Sequence, residues 1–156
     1  AAGLDPEAAT RAALFEFMIA NLDWDMVSGH VGDPCCHNNK LMAASAAART
    51  GVVPVPYDFD YSGLVSAPYS IPPEGIHIAS VRTRYFRGYC RFNDQLPGVI
   101  ADVRARRAAF YSVIDNEQRL DAGHKRTAHT FLDGFFAALD DPQRVDRDLT
   151  RHCRGG

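Results

Sequence analysis

The stretch that decides the fold is Gly51-Val52-Val53-Pro54-Val55-Pro56-Tyr57-Asp58-Phe59-Asp60. Its first seven residues predict a strand, and the two prolines, which cannot donate to a sheet ladder, restrict that strand to an edge or an irregular form. Lys40-Leu41-Met42 predicts a second short strand, with the turn carried by Arg49-Thr50-Gly51. We therefore expect a small β-hairpin that ends directly before two aspartates.

A helix is predicted on the N-terminal side of this hairpin. From Pro6 to Asn21 the apolar residues recur with a period of 3.6, while Glu7, Arg11 and Glu16 fall outside the apolar face. Asp5 followed by a proline is the pattern of a helix cap with proline at the first helical position. The sequence therefore predicts where this helix begins as well as which face it buries.

Polar loops flank the hairpin over residues 22–39 and 58–75. Residues 76–89 fit both a strand alternation and a helical face, so the sequence leaves that segment open. Beyond Pro97 two apolar stripes with helical spacing predict a helical C-terminal half. The expected fold is α+β and mostly helical, a single domain over residues 1–156 with the short hairpin carrying the site. The stripes are Val99, Val103, Phe110 and Ile114, and Phe131, Phe135, Phe136 and Leu139.

The composition excludes several classes of protein. The chain has 156 residues, of which 46% are hydrophobic and 23% charged, which is typical of a globular domain and not of a disordered segment. A formal net charge of -2 provides no basic field for nucleic acid or for an anionic membrane surface. No apolar run approaches the roughly 18–20 residues of a membrane span. The chain begins at Ala1 and runs almost directly into a helical pattern, so we expect further sequence upstream.

Polar residues that suit phosphoryl transfer lie at the helix exit, at the end of the first loop and after the hairpin. Such a reaction needs a base that accepts a hydroxyl proton, and oxygen ligands that hold magnesium against the phosphates. Taken singly, loop aspartates and asparagines more often cap helices and make turns. The three groups are Asn21-Leu22-Asp23-Trp24-Asp25, His37-Asn38-Asn39-Lys40 and Tyr57-Asp58-Phe59-Asp60.

This order of elements and motifs resembles the catalytic half of atypical kinase-like proteins. It is similar to the spore-coat-protein kinases and, more closely, to uncharacterised bacterial proteins with the run Pro-Tyr-Asp-Phe-Asp-x-Ser-Gly, over roughly residues 15–91. The resemblance implies the C-terminal lobe of a longer kinase-like protein, with Asp23 as the catalytic aspartate and with Asn38 and Asp58 as ligands of Mg²⁺ and ATP. Asp60 stands where protein kinases have glycine, which makes it a further candidate metal ligand.

The function implied by the resemblance is magnesium-dependent phosphoryl transfer from ATP to a hydroxyl group of a small-molecule or protein acceptor. Asn38 follows Asp23 by fifteen residues, where protein kinases have five, so residues 25–36 would form an insertion. No Gly-rich loop and no strand-borne lysine precede the predicted helix. Two alternatives stay open: a catalytically silent kinase-like binding module, and a metal-dependent hydrolase with the same carboxylates. For Asp25 we predict an exposed or capping position without a role in the chemistry.

The cysteines bear on the compartment. We expect Cys90 and Cys153 to form a disulfide if the protein is exported, in keeping with a periplasmic or extracellular location. Two unpaired thiols in a cytoplasmic protein are the alternative.

Two further clusters have simpler interpretations. The first loop holds enough potential ligands for zinc, but their spacing fits no common zinc template, so we interpret it as a plain or disulfide-bonded loop. The arginines of residues 82–91 predict a solvated face, and the functional alternative is that Arg82 or Arg87 anchors Asp58 or a bound phosphate. The zinc candidates are His30, Asp33, Cys35, Cys36 and His37.

Overall fold

The computed structural model describes residues 3–29 and 35–155. Within those ranges the chain forms α-helices, one two-stranded antiparallel sheet and short 3₁₀- and π-helical turns. The observed architecture is α+β, as the sequence predicts. In chain order the elements are α1 Pro6–Ile19, β1 Asn39–Met42, β2 Val53–Pro56, a 3₁₀-helix Cys90–Gln95, α2 Leu96–Ala105, α3 Arg107–Asn116, α4 Ala122–Leu139, α5 Pro142–Val145 and a π-helical turn Asp146–Thr150.

The start of α1 follows its sequence signal. Asp5 Oδ1 accepts a hydrogen bond of 2.8 Å from the Ala8 amide, and Pro6 occupies the first helical position. The cap thereby satisfies one of the free amides of the first turn. The C-terminal half of α1 differs from the prediction, because Glu16 is fully buried there and does not lie on a solvent-facing side. A helix that is enclosed on more than one face buries residues outside its apolar stripe.

A single cluster of apolar side chains holds α1 against the C-terminal helices. Phe17 meets Phe86 edge-on, with ring centroids 6.0 Å apart, and Phe135 at 6.2 Å. Each such buried aromatic side chain contributes about 1.5–3 kcal/mol relative to an exposed one. This packing fixes the end of α1, from which the first loop departs.

The hairpin has the predicted strand order, but β2 covers only Val53–Pro56 of the predicted residues 51–57, and β1 begins one residue earlier, at Asn39. β1 and β2 pair antiparallel, with Asn39 opposite Pro56 and Met42 opposite Val53. In β2 the two prolines are turned inward and the two valines are exposed, which is the alternation of a pleated strand. Because the sheet has only two strands, each has a free edge, and proline is tolerated there.

The segment after the hairpin is attached to the end of α1. The Gly63 and Leu64 amides donate to the carbonyl oxygens of Ala20 and Ile19, each at 3.0 Å, and so satisfy carbonyl groups that the helix leaves free. A Cβ atom at Gly63 would lie 2.4 Å from the Val81 carbonyl oxygen, so only glycine fits. The glycine of the Asp-x-Asp-x-Ser-Gly run thus fixes the position of the hairpin relative to the exit of α1.

Residues 76–89 contain no helix, and no strand beyond one isolated bridge residue. The segment is held instead by arginines that donate to backbone carbonyl oxygens, from Arg84 to Phe131 and from Arg87 to Trp24, each at 2.6 Å. These arginines are partly buried, so the predicted solvated face is wrong for both of them. Burial raises the cost of an unpaired backbone carbonyl, and a guanidinium group with five donors is suited to satisfy several of them.

The chain end is attached to the fold by the predicted pairing. Cys90 and Cys153 form a disulfide with a Cα–Cα distance of 5.0 Å. Backbone hydrogen bonds flank it, from Arg154 to Gly88 at 2.8 Å and from Cys90 to Arg154 at 3.0 Å. In the described part of the chain, no helix is both long enough and apolar enough to cross a membrane.

Replacing both Cys90 and Cys153 with serine is expected to lower the free energy of unfolding by about 2–3 kcal/mol, because the bridge closes a long loop in the unfolded chain. Urea unfolding of the oxidised protein measures the change. The matched control is the double serine variant at Cys35 and Cys36, which form a disulfide between adjacent residues and therefore close almost no loop. Equal losses in the two double variants would show that loop closure is not the source of the stability.

Candidate functional site

The first loop is closed at its base by a pair of backbone hydrogen bonds. The Asp25 amide donates to the His37 carbonyl oxygen at 2.8 Å, and the His37 amide donates back to Asp25 at 2.9 Å. The two ends of the loop are therefore held side by side at Asp25 and His37. The fifteen-residue separation between Asp23 and Asn38 is thereby reduced to direct contact in space.

Both carboxylate oxygens of Asp23 accept hydrogen bonds. His37 Nε2 donates to Asp23 Oδ1 at 2.7 Å, and Asn38 Nδ2 donates to Asp23 Oδ2 at 3.1 Å and to the Asp23 carbonyl oxygen at 2.8 Å. Asn21 accepts from the Asp23 amide through its side chain at 3.1 Å and so fixes the backbone as well. Sequence reasoning placed His37 in the group that begins the second motif but gave it a specific role only as a possible zinc ligand, although its position directly before Asn38 is a signal for this contact.

A second acidic pair lies where β2 ends. The Tyr57 amide donates to the Asn38 carbonyl oxygen at 3.0 Å, which places the residue before Asp58 beside Asn38. A hydrogen bond with the Asp60 carboxyl raises the pKa of Asp58, with smaller contributions from burial and from the charges of Asp60 and Asp23. Tyr69 donates to Asp60 Oδ2 at 2.9 Å. The four candidate residues, Asp23, Asn38, Asp58 and Asp60, therefore share one end of the hairpin.

The backbone itself directs these side chains. Asn38 and Asp58 both have positive φ, at 50° and 63°, which is a conformation that asparagine and aspartate tolerate better than most residues. Each residue lies just outside its strand, where the left-handed backbone ends the extended conformation. A local strain of this kind is common where side chains must converge on a ligand.

The donor set at this end of the hairpin fits a magnesium ion that also binds phosphate. In the described residues no three His, Cys, Asp or Glu side chains are grouped as a metal cage. Magnesium, however, commonly takes only one or two carboxylates and completes its octahedron with water and phosphate oxygens. The neighbouring carboxylates of Asp58 and Asp60 are ligands of this kind, because a divalent cation between them would remove their mutual repulsion. Asn38 directs its amide nitrogen to Asp23, so its oxygen points away from that carboxylate.

The predicted capping position accounts for only part of the contacts that Asp25 makes in the structure. Its Oδ1 accepts from the Val27 and Ser28 amides at 2.8 Å and 3.0 Å, which is the predicted capping role. The side chain is nevertheless buried, and its other oxygen binds Arg154 at 2.8 Å and Arg87 at 3.4 Å. Burial acts to raise the pKa of Asp25, but hydrogen bonds from Arg154 and from the two amides hold it below its ordinary value.

The alternative in which Arg82 or Arg87 anchors Asp58 is not supported by the described contacts, because neither guanidinium group pairs with Asp58 there. Arg87 pairs with Asp25 and with backbone carbonyls, as given above. Arg82 Nη1 donates to the Gly63 carbonyl oxygen at 3.0 Å, and its guanidinium lies over the Phe131 ring at 4.8 Å. Both groups support the backbone around the site and do not contact the acidic pair.

A buried carboxyl group that the sequence did not single out lies beneath Asp23. Glu16 is fully buried, and within the described structure neither of its oxygens makes a well-formed hydrogen bond. Burial raises the pKa of Glu16 to about 8, with the neighbouring Asn21 side chain and Arg87 acting in the opposite direction. Glu16 therefore carries a proton at neutral pH. Its side chain lies beside the asparagine that fixes the Asp23 backbone.

The zinc candidates do not form a metal centre in the described chain. Cys35 and Cys36 are joined to each other, and His37 is bound to Asp23. His30 and Asp33 lie outside the described residues. The interpretation of this segment as a disulfide-bonded loop accounts for the two cysteines.

Two cavities differ in their relation to the acidic residues. One of about 730 Å³ lies between α1, β2 and the helices α2 and α3, and none of the four candidate residues lines it. A smaller cavity of about 190 Å³ is lined by Asp23 and by the proline-rich loop after the hairpin. The smaller cavity is the one that adjoins the candidate chemistry, and we consider it the relevant one for that reason.

Comparison of the chain with protein-family models, with curated proteins and with solved structures finds no match.

Proposed function

We propose that this chain is the catalytic half of a magnesium-dependent phosphotransferase that uses ATP and resembles the C-terminal lobe of atypical kinases. The observation that carries the proposal is the convergence of two polar pairs at one end of the hairpin. Asn38 is hydrogen-bonded to Asp23 at 3.1 Å, and its backbone is paired with the residue before Asp58. A base and a set of metal ligands on one centre are the parts that phosphoryl transfer requires.

The proposed roles follow from the contacts of each residue. Asp23, oriented by His37 and Asn38, accepts the proton of the acceptor hydroxyl. Asn38, Asp58 and Asp60 hold Mg²⁺, which neutralises charge on the phosphates when it is bound. The transfer is then largely a matter of position and electrostatics, since the phosphoryl group needs little covalent assistance from protein.

An exposed apolar face on the hairpin, which extends from the end that carries this centre to the opposite end, supports a nucleotide as the donor. Met42, Val53 and Val55 are large apolar residues of the hairpin that are exposed to solvent. Sites for small ligands are lined mainly by apolar side chains with a few polar groups, and the flat ring of a purine suits such a surface. We propose that the nucleotide lies against this face and that a further lobe of the protein covers it.

The two disulfides support an oxidising compartment, so we propose a periplasmic or extracellular location. All four cysteines are paired in the described structure. Disulfides persist in such compartments and are rare in a reducing cytoplasm.

Asp58→Asn in the full-length protein is expected to reduce magnesium-dependent phosphoryl transfer at least about 100-fold, because loss of a metal ligand removes several kcal/mol of charge stabilisation. Transfer from radiolabelled ATP and the binding of ATP with Mg²⁺, measured by calorimetry, report the effect. The control is Asp94→Asn, the same change at an exposed aspartate of the 3₁₀-helix outside the site.

The alternatives give different results in the same calorimetric experiment. A metal-dependent hydrolase binds the metal without requiring adenine, and a catalytically silent module binds neither metal nor nucleotide. Either result with the unmodified full-length protein would overturn the proposed phosphotransferase.

A further inference from the structure

The 190 Å³ cavity beside Asp23 has the position of an acceptor site. Asp23 lines it directly, and the Asp23 side chain is 36% exposed although both of its oxygens accept hydrogen bonds. A general base must come within hydrogen-bond reach of the hydroxyl that it deprotonates. A molecule in this cavity meets that condition.

The charged residues that line the cavity favour some phosphoryl acceptors over others. Asp23 and Glu74 line it, and the described lining contains no lysine, arginine or histidine. Arg82, which follows the lining residue Val81, is directed to the Gly63 carbonyl oxygen and the Phe131 ring. The cavity therefore disfavours carboxylates and phosphates and favours a cation.

The walls limit the size and add an aromatic contact. A volume of about 190 Å³ is below the roughly 300–1,000 Å³ of sites for drug-sized ligands. Pro72 and Pro73 form part of the wall, and prolines hold their shape at low entropic cost. Tyr61 also lines the cavity, and the face of a tyrosine ring attracts an ammonium group.

We propose that this cavity binds a small amino alcohol as the phosphoryl acceptor, with its hydroxyl at Asp23 and its ammonium group between Glu74 and Tyr61. This assignment rests on the proposed phosphotransferase function. In the step, the alcohol oxygen forms a bond to the γ-phosphorus of ATP, the bond from that phosphorus to the β–γ bridging oxygen breaks, and ADP leaves. The hydroxyl proton passes to Asp23. The products are a phosphorylated amino alcohol and ADP.

Binding of three probes with matched skeletons tests the selection by charge independently of catalysis. The probes are 3-amino-1-propanol, 1,3-propanediol and 3-hydroxypropanoate, which are cationic, neutral and anionic at neutral pH. We expect saturation-transfer NMR with the full-length protein to show binding of the amine, weaker binding of the diol and none of the acid. Glu74→Gln should weaken the binding of the amine at least about 3-fold, while Glu117→Gln, the same change at a residue outside the cavity, should leave it unchanged.

Equal signals from the three probes, a preference for the acid, no binding of any probe, or a Glu74→Gln variant that binds the amine as well as the unmodified protein would overturn the proposal. The result is separable from the proposed function. Binding of the amine with no phosphoryl transfer from ATP would overturn the phosphotransferase and leave the cation site. Transfer that is equally fast to all three probes would uphold the phosphotransferase and overturn the selection by charge.

Discussion

Asp25→Asn is expected to lower the free energy of unfolding by about 3–5 kcal/mol, because removal of one partner from a buried ion pair leaves the other charge uncompensated. The carboxylate is 12% exposed and binds both Arg87 and Arg154. Asparagine keeps an oxygen that accepts from the Val27 and Ser28 amides, so the turn is retained and only the charge is lost. Urea unfolding measures this loss. An unchanged dependence of the unfolding free energy on urea concentration would show that the stability has changed and the surface exposed on unfolding has not.

Asp102→Asn is the matched control for this prediction, because Asp102 also pairs with two arginines, Arg11 and Arg106, but is half-buried and has exposed partners. Exposed ion pairs contribute about 0–1 kcal/mol, so the control should lose far less stability. We also expect folded Asp25→Asn protein to keep any phosphoryl transfer activity. If the folded variant were as inactive as Asp23→Asn, Asp25 would belong to the chemistry and not to the scaffold.

The elements with local signals were predictable from sequence. The cap and proline at the start of α1, the proline-containing strand and the helical stripes beyond Pro97 each involve residues close together along the chain. The grouping of Asp23 with Asn38 was an expectation of the resemblance, and the contact between them depends on the backbone bridge between Asp25 and His37. The roles of these residues stay predictions.

The features that sequence reasoning missed depend on partners far along the chain. Asp25 pairs with Arg154, 129 residues away, and no local pattern indicates that contact. Residues 76–89 lack regular secondary structure, and their arginines bind backbone carbonyl oxygens of other segments. A search of the sequence for strand alternation or helical periodicity does not detect such contacts. Glu16 fell outside the apolar stripe of α1, yet the surrounding elements enclose that side of the helix too.

Glu16→Gln is expected to remove a large pH dependence of stability. The pKa of Glu16 in the folded protein is about 8, compared with an ordinary value of 4.5. The folded state therefore holds the proton more tightly than the unfolded state, so the stabilising effect is complete below about pH 4.5 and is lost as the pH rises to about 8. The loss approaches about 1.4 kcal/mol per pH unit, or about 4–5 kcal/mol over the whole window.

Glutamine has nearly the shape of the protonated carboxyl group and does not titrate, so the variant should gain stability relative to the unmodified protein as the pH rises from 5 to 8. Urea unfolding at several pH values in that range measures the difference between the two proteins, in which the titration of other groups largely cancels. Asp23 and Arg87 are the charged groups that act on Glu16, and both are unchanged in the variant. Glu7→Gln on the exposed side of α1 serves as the control and should show no such trend. A difference in stability that stays constant between pH 5 and pH 8 would mean that Glu16 is already ionised in the folded protein, and that water or another group compensates its charge.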